Sequence, residues 1–143
     1  MLKEFEGVDF IIHAGDFCSS KDLELLAKIK EVKAVHGNMD GSDIIKYCPR
    51  RQIIKVNGFK IGLFHGEGPP QTLMQKIEEE FKGEKLDVII YGHSHLAMNE
   101  KRGNVLYFNP GSPTDTVFAP YRSYGILDVT DKGISGSIIK VKD

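Results

Sequence analysis

Val88-Ile89-Ile90-Tyr91-Gly92-His93-Ser94-His95 joins a short apolar run to a glycine turn and two imidazoles. An apolar run of this length that stops at a turn reads as a buried strand, and here the strand presents both histidines at its tip. Three further fragments have the same form. They are Phe10-Ile11-Ile12-His13-Ala14-Gly15-Asp16, Ala34-Val35-His36-Gly37-Asn38-Met39-Asp40 and Ile61-Gly62-Leu63-Phe64-His65-Gly66. Each places a carboxylate, an amide or an imidazole beside a glycine just beyond an apolar strand.

Working outward, Val8 to His13, Val32 to His36, Ile53 to Val56, Phe59 to His65, Val88 to Tyr91, Val105 to Phe108, Ser123 to Asp128 and Ile134 to Val141 read as strands, because they are short, β-branched or aromatic and bounded by Gly, Asn or Pro. Two helices are predicted. Asp22 to Ile29 follows a capping signal at Ser19-Ser20, and Gln71 to Phe81 carries Leu73, Met74, Ile77 and Phe81 on one stripe. The acidic run Glu78-Glu79-Glu80 on that helix reads as solvated surface. Asn57-Gly58 predicts a two-residue hairpin, since both residues tolerate the positive φ of a type I′ turn. The sum is an α/β fold of layered mixed sheets with helices outside and functional groups on loops beyond the strand ends.

The chain has 143 residues, enough for one domain, and no repeat or linker divides it. Its 19 basic and 20 acidic residues nearly cancel, so the overall field favours neither nucleic acid nor an anionic membrane. An anionic substrate must therefore be held locally. No run approaches the ~18 apolar residues of a membrane span, and Met1-Leu2-Lys3-Glu4 lacks the basic start of a signal peptide. Cys18 and Cys48 match no zinc ribbon or redox pair and read as reduced thiols, so a cytoplasmic location is expected.

Carboxylate, amide oxygen and imidazole together suit divalent ions such as Mn²⁺, Fe²⁺, Ni²⁺ or Zn²⁺, and the lack of paired thiolates argues for a catalytic rather than a structural site. Taken in order, Gly15-Asp16, Gly37-Asn38-Met39-Asp40, His65-Gly66 and Gly92-His93-Ser94-His95 resemble the motifs of the calcineurin-like metallophosphoesterase superfamily. Asn109-Pro110-Gly111-Ser112 resembles its small bacterial and archaeal phosphodiesterase branch, which includes the retromer scaffold subunit. The resemblance implies a β-sandwich core and a phosphoesterase, with a phosphodiesterase as the first expectation. It implies that Asp16 bridges two metals, that Asn38, His65 and His93 complete one site, and that His95 ligates the other. Manganese is the first expectation for the metal. In that family a metal-bridging hydroxide attacks phosphorus while the ions neutralise the equatorial oxygens, so Asp16, Asn38 and His65 are the expected catalytic set. Asp40 is expected to orient a ligand or the turn rather than bind metal.

Two departures stand out. The family opens with a strand ending in Asp-x-His, but Asp9 is followed by Phe10 and Ile11. The domain, 1–143, is thus N-terminally shorter than the family, through a start assigned too far downstream, an omitted segment or natural shortening. Leu2 to Phe5 read as the last turn of the helix after the lost strand. The second metal would keep only Asp16 and His95, so one occupied site is an alternative to two. A missing strand also exposes edges, which favours self-association. Met39 stands where many relatives carry His, and a thioether has no proton for a leaving oxygen. His13 and His36 weigh more as supporting or surface histidines than as direct participants, Ser94 as a spacer between ligands, and Arg122 as solvated. A small phosphoester is the expected substrate. The rival function is a non-catalytic scaffold that retains the fold.

Overall fold

The apolar residues fall into separate cores because side chains alternate across each strand. The computed structural model describes residues 2–17, 19–115 and 117–142, so Cys18 lies outside the described residues. A 3-10 helix, Leu2–Gly7, leads into β1 (Ile11–His13), α1 (Ser20–Ile29), β2 (Val32–Ala34), α2 (Ser42–Ile45), β3 (Arg51–Val56) and β4 (Phe59–Phe64). Then come α3 (Pro70–Glu80), β5 (Val88–Ile90), β6 (Met98–Arg102), β7 (Val105–Asn109), β8 (Ser123–Thr130) and β9 (Gly133–Lys140).

A five-stranded mixed sheet has the order β3-β4-β5-β7-β6. Its middle strands β4, β5 and β7 run parallel, and antiparallel β3 and β6 form its edges. Parallel β1-β2 and antiparallel β8-β9 form two smaller sheets. Val88 and Ile90 of β5 join Ile61, Leu63 and Phe108 in a core that also receives Ile12 from β1 and Leu127 from β8. This is the interior of a β-sandwich. Ile89 and Tyr91 point the other way, into a second core with Leu73, Ile77 and Phe81 on and just beyond α3. Burying one such aliphatic side chain contributes roughly 1.5–3 kcal/mol relative to leaving it exposed, so a one-residue slip of β5 would exchange both faces at once.

The predicted layers are present, with specific differences. β1 is shorter than the Val8 to His13 run, and Asp9 lies before the strand, exposed. β2 ends at Ala34 and β4 at Phe64, so His36 and His65 sit on the loops that follow. β6 was not legible because Met98-Asn99-Glu100-Lys101-Arg102 has no apolar alternation, and an edge strand facing solvent requires none. Ser19 stands at the N-cap of α1 with extended backbone but makes no side-chain capping bond. The acidic run of α3 is only partly solvated. Glu80 pairs with Arg50 and Arg51, while Glu78 and Glu79 are exposed. Asn57 (φ 50°) and Gly58 (φ 84°) form the hairpin turn between β3 and β4. No helix among the described residues is long and apolar enough to cross a membrane.

Among the described residues β1 pairs with β2 alone. Beside it, a cavity of about 300 Å³ lies among Phe10, Ile12, Ile90, Phe108 and Leu127.

Candidate functional site

Two sheets supply the site. Asp16, Asn38 and Asp40 follow the ends of β1 and β2, whereas His65, His93 and His95 follow the ends of β4 and β5 in the five-stranded sheet. The loops bend sharply where these residues sit. Asp16, His93 and His95 all have positive φ, at 61°, 66° and 60°, a conformation uncommon outside glycine. Such strain persists only where the surroundings enforce it, and it clusters at functional sites.

The Asp16 turn is enforced by a buried carboxylate. Asp40 Oδ2 accepts the backbone N–H groups of Asp16 at 2.8 Å and Gly37 at 2.7 Å, and its Oδ1 accepts that of Phe17 at 2.7 Å. The two loops then touch so closely that residue 37 has no room for a side chain. A Cβ there would stand 2.2 Å from Asp16 Oδ1. Asp16 Oδ1 accepts the Met39 backbone N–H at 2.8 Å, which leaves Oδ2 facing His65.

The proton positions on the two central imidazoles follow from their carbonyl partners, because a carbonyl oxygen can only accept. His65 Nδ1 lies 2.7 Å from the Ala14 carbonyl oxygen and His93 Nε2 lies 2.8 Å from that of Gly68, so both nitrogens carry hydrogen. In the neutral rings the lone pairs therefore sit on His65 Nε2 and His93 Nδ1. These two nitrogens are 3.3 Å apart. Around His65 Nε2 also lie Asn38 Oδ1 at 3.1 Å and Asp16 Oδ2 at 3.2 Å. Three lone-pair atoms thus crowd the lone pair of His65 Nε2, with no hydrogen between any of them and it.

That convergence suits a cation. Donors ~2.1 Å from a shared ion, at tetrahedral or octahedral angles, stand about 3.0–3.4 Å from one another. The three separations above fall in this range, and the donor set of carboxylate, amide and imidazole fits a borderline divalent ion. Among the described residues, however, no three His, Cys, Asp or Glu side chains already form a metal-ready group. Asn38 supplies one donor of the cluster, and Asp16 and His93 each approach His65 rather than one common point.

His95 stands apart from this cluster. Its Nδ1 donates to Asp115 Oδ2 at 2.7 Å, leaving Nε2 as its free lone pair. Asp115 was not anticipated from the sequence, where nothing distinguishes it from a loop acid. The hydrogen bond from His95 and those from the backbone N–H groups of Val117 and Phe118 hold its carboxyl down at about 2. Asn109 is completely buried and ties three turns together. Its Nδ2 donates to the Gly92 carbonyl and to Ser94 Oγ, both at 3.2 Å, and its Oδ1 accepts the Gly111 N–H at 2.9 Å. Ser94 Oγ also accepts the Leu96 N–H. Among the buried side-chain nitrogens and oxygens of the described residues none lacks a partner.

Electrostatics agree with this geometry at Asp16. Burial raises its pKa, but the neighbouring His65 imidazole and the hydrogen bond from the Met39 N–H outweigh that and leave the carboxyl below its usual value. His36 Nδ1 donates to the Cys48 carbonyl at 2.9 Å. The Arg122 carbonyl accepts the Val141 N–H. Neither His36 nor Arg122 lines the cavity of about 340 Å³ that holds Asp16, Asn38, His93, Ser94 and His95.

His13 accepts the Gly15 N–H on Nδ1 at 3.1 Å and stacks on Phe17 at 3.7 Å. Burial lowers its pKa from 6.5 to about 4. Between these values the unfolded chain takes up a proton that the native chain refuses. Stability from this residue is therefore complete above pH 6.5 and falls, by on the order of 3 kcal/mol, as pH drops toward 4. Urea unfolding across this window should show the loss, and His13→Gln should flatten it. An equal pH dependence in the variant would refute the assignment.

Comparison with known proteins follows the same pattern. The family described as the calcineurin-like phosphoesterase superfamily domain matches residues 1–132. A probable metallophosphoesterase of Methanocaldococcus jannaschii is 36% identical over 144 aligned positions, covering 100% of this chain and 72% of the relative. Another, of Methanothermobacter thermautotrophicus, is 37% identical over 112, covering 77% of this chain and 63% of its own length. The solved structure of a novel archaeal phosphodiesterase superposes with a TM-score of 0.74 at 26% identity, covering 96% of this chain and 88% of that one. Fold, motif order and these relatives agree that the chain belongs to the calcineurin-like phosphoesterase superfamily.

Proposed function

We propose that the protein is a metal-dependent phosphodiesterase whose reaction centre is the cluster around His65 Nε2. The observation that carries this reading is the meeting of Asp16 Oδ2, Asn38 Oδ1, His65 Nε2 and His93 Nδ1, four acceptors with nothing among them to accept. A proton could satisfy one or two of those three contacts, whereas a divalent ion drawn between them would engage all four atoms. Mn²⁺ is the first assignment, with Fe²⁺, Ni²⁺ and Zn²⁺ as alternatives from the same donor chemistry. Such an ion, when bound, lowers the pKa of water to near neutrality and offsets the charge on the phosphoryl oxygens.

The residues of the chain divide the remaining work. Asp16 brings the formal negative charge, and the Met39 N–H holds its carboxylate in place. The Ala14 and Gly68 carbonyls fix the two imidazoles so that their lone pairs point inward, as outer partners of ligating histidines commonly do. Asp115 does the same for His95, which would serve a second ion together with Asp16. Met39 offers no proton to a departing alkoxide. General-acid help commonly contributes ~10² to 10⁴ in rate, so diesters with good leaving groups should be turned over in preference to alkyl monoesters.

The test is hydrolysis of bis-p-nitrophenyl phosphate by metal-free protein before and after addition of Mn²⁺. Turnover that appears with the ion and vanishes with chelator is the expected result. A shortage of protein ligands for the second ion favours a second reading, a scaffold with a degraded pocket. Metal binding without any hydrolysis would select it.

A further inference from the structure

The cavity that holds the candidate ligands is not wholly polar. Besides Asp16, Asn38, His93, Ser94 and His95, it is lined by Met39, Pro70, Leu73 and Phe118. Leu73 is buried and belongs to the core beside α3. Met39 and Phe118 are different, being 76% and 82% exposed, so neither contributes much to folding.

Phe118 is nevertheless anchored. Asp115 Oδ1 accepts the backbone N–H groups of Val117 at 2.8 Å and Phe118 at 3.1 Å, while its Oδ2 holds His95. The Asp115 N–H in turn donates to buried Ser112 Oγ at 3.1 Å. One carboxylate thus fixes both the His95 ring and the chain that carries an exposed aromatic ring at the cavity. An aromatic ring and a polarizable thioether beside a polar cluster make a platform for a flat ring.

We propose that Phe118, with Met39, selects phosphodiesters whose non-departing ester group carries an aromatic ring, that ring lying against Phe118 while the phosphate faces the imidazoles. This rests on the phosphodiesterase reading above and adds the class of substrate. Stacking of this kind is worth roughly two- to twelvefold in binding.

The experiment keeps the leaving group constant. Methyl, phenyl and thymidine-5′ diesters of p-nitrophenol are hydrolysed by the Mn²⁺-supplemented protein and by Phe118→Ala and Phe118→Tyr. The phenyl-to-methyl ratio of kcat/KM should be about tenfold in the unaltered protein, fall close to one in Phe118→Ala through KM, and return in Phe118→Tyr. The thymidine arm distinguishes a nucleobase from a simple aryl ring, either of which supports the platform. Calorimetric binding of phenylphosphonate against methylphosphonate is measured in parallel. Turnover with an unchanged ratio in Phe118→Ala overturns the platform and leaves the phosphodiesterase reading standing. No turnover, but phenylphosphonate binding that depends on Phe118, does the reverse. No turnover and no such binding overturn both.

Discussion

Asp16→Asn is expected to abolish metal-dependent hydrolysis, with a fall of at least ~10³ in kcat/KM, while leaving the metal-free protein as stable as before. Asparagine is nearly isosteric with aspartate, and its amide oxygen can still accept the Met39 N–H that Asp16 Oδ1 accepts at 2.8 Å. Its amide nitrogen would then replace Oδ2 and donate to His65 Nε2, 3.2 Å away. The cluster gains a hydrogen bond and loses its charge, and the lone pair of His65 is occupied. A thousandfold loss corresponds to about 4 kcal/mol of transition-state stabilisation, a reasonable share for the charge that anchors an ion. The unaltered protein should melt higher when Mn²⁺ is added, because the ion binds only the native state. In Asp16→Asn that increment should disappear although the metal-free Tm is unchanged or slightly raised. An Asp16→Asn protein that hydrolyses bis-p-nitrophenyl phosphate at the normal rate would remove Asp16 from the reaction centre.

Asp40→Ala is expected to act in the opposite manner, through the fold first. The Asp40 carboxylate is 9% exposed and receives three backbone N–H groups, from Asp16, Phe17 and Gly37. Alanine would leave these donors without a partner, and each unsatisfied buried group costs roughly 1–3 kcal/mol. Allowing for relaxation and water entry, a loss of about 3–5 kcal/mol follows, or a fall in Tm of about 10 °C. Asp40→Asn should rescue little, since its NH₂ group would face at least one of the N–H donors. Differential scanning calorimetry distinguishes the cases. If Asp40→Asn matched the unaltered protein, the three-bond account of the turn would be wrong. The expected order is thus stability loss for Asp40 and activity loss without stability loss for Asp16, two residues that are in contact through a backbone hydrogen bond.

How far these arguments were available from sequence depended on what each residue needs. β5 and β4 were legible because Ile89 and Ile90, or Leu63 and Phe64, must lie on opposite faces of a sheet covered on both sides, which leaves an unbroken apolar run. Their ends were each overestimated by one residue because Tyr91 and His65 continue the pattern after the ladder has stopped. β6 was hidden, since pairing with β7 demands only backbone and Met98 to Arg102 face mostly solvent. At the site, glycine neighbours disclosed the turns carrying residues 16, 38, 65 and 93. Asp115 was beyond reach, and Asn109 was visible only as the first residue of the Asn109-Pro110-Gly111-Ser112 turn, without its partners. Their roles arise from contacts with His95 and with Gly92 and Ser94, and a loop acid or a turn asparagine carries no mark of such a partner. Ser19 shows the converse failure, where a good local capping residue makes no capping bond.

Among the described residues β1 pairs with β2 and no other strand, which bears on how the reaction centre holds its shape. Asp16 and Asn38 ride on that narrow two-stranded unit, backed on one side by the cavity near Phe10 and Ile12, whereas His65 and His93 belong to the broad sheet. The seam between them is closed by the hydrogen bond from His65 to the Ala14 carbonyl, and His65 Nε2 meets Asn38 Oδ1 across it. Small, weakly bordered units open locally at lower free energy than the global transition. A cation seated on the seam would act as a rivet between two pieces that breathe at different rates, slowing amide exchange in β1 far more than in β5.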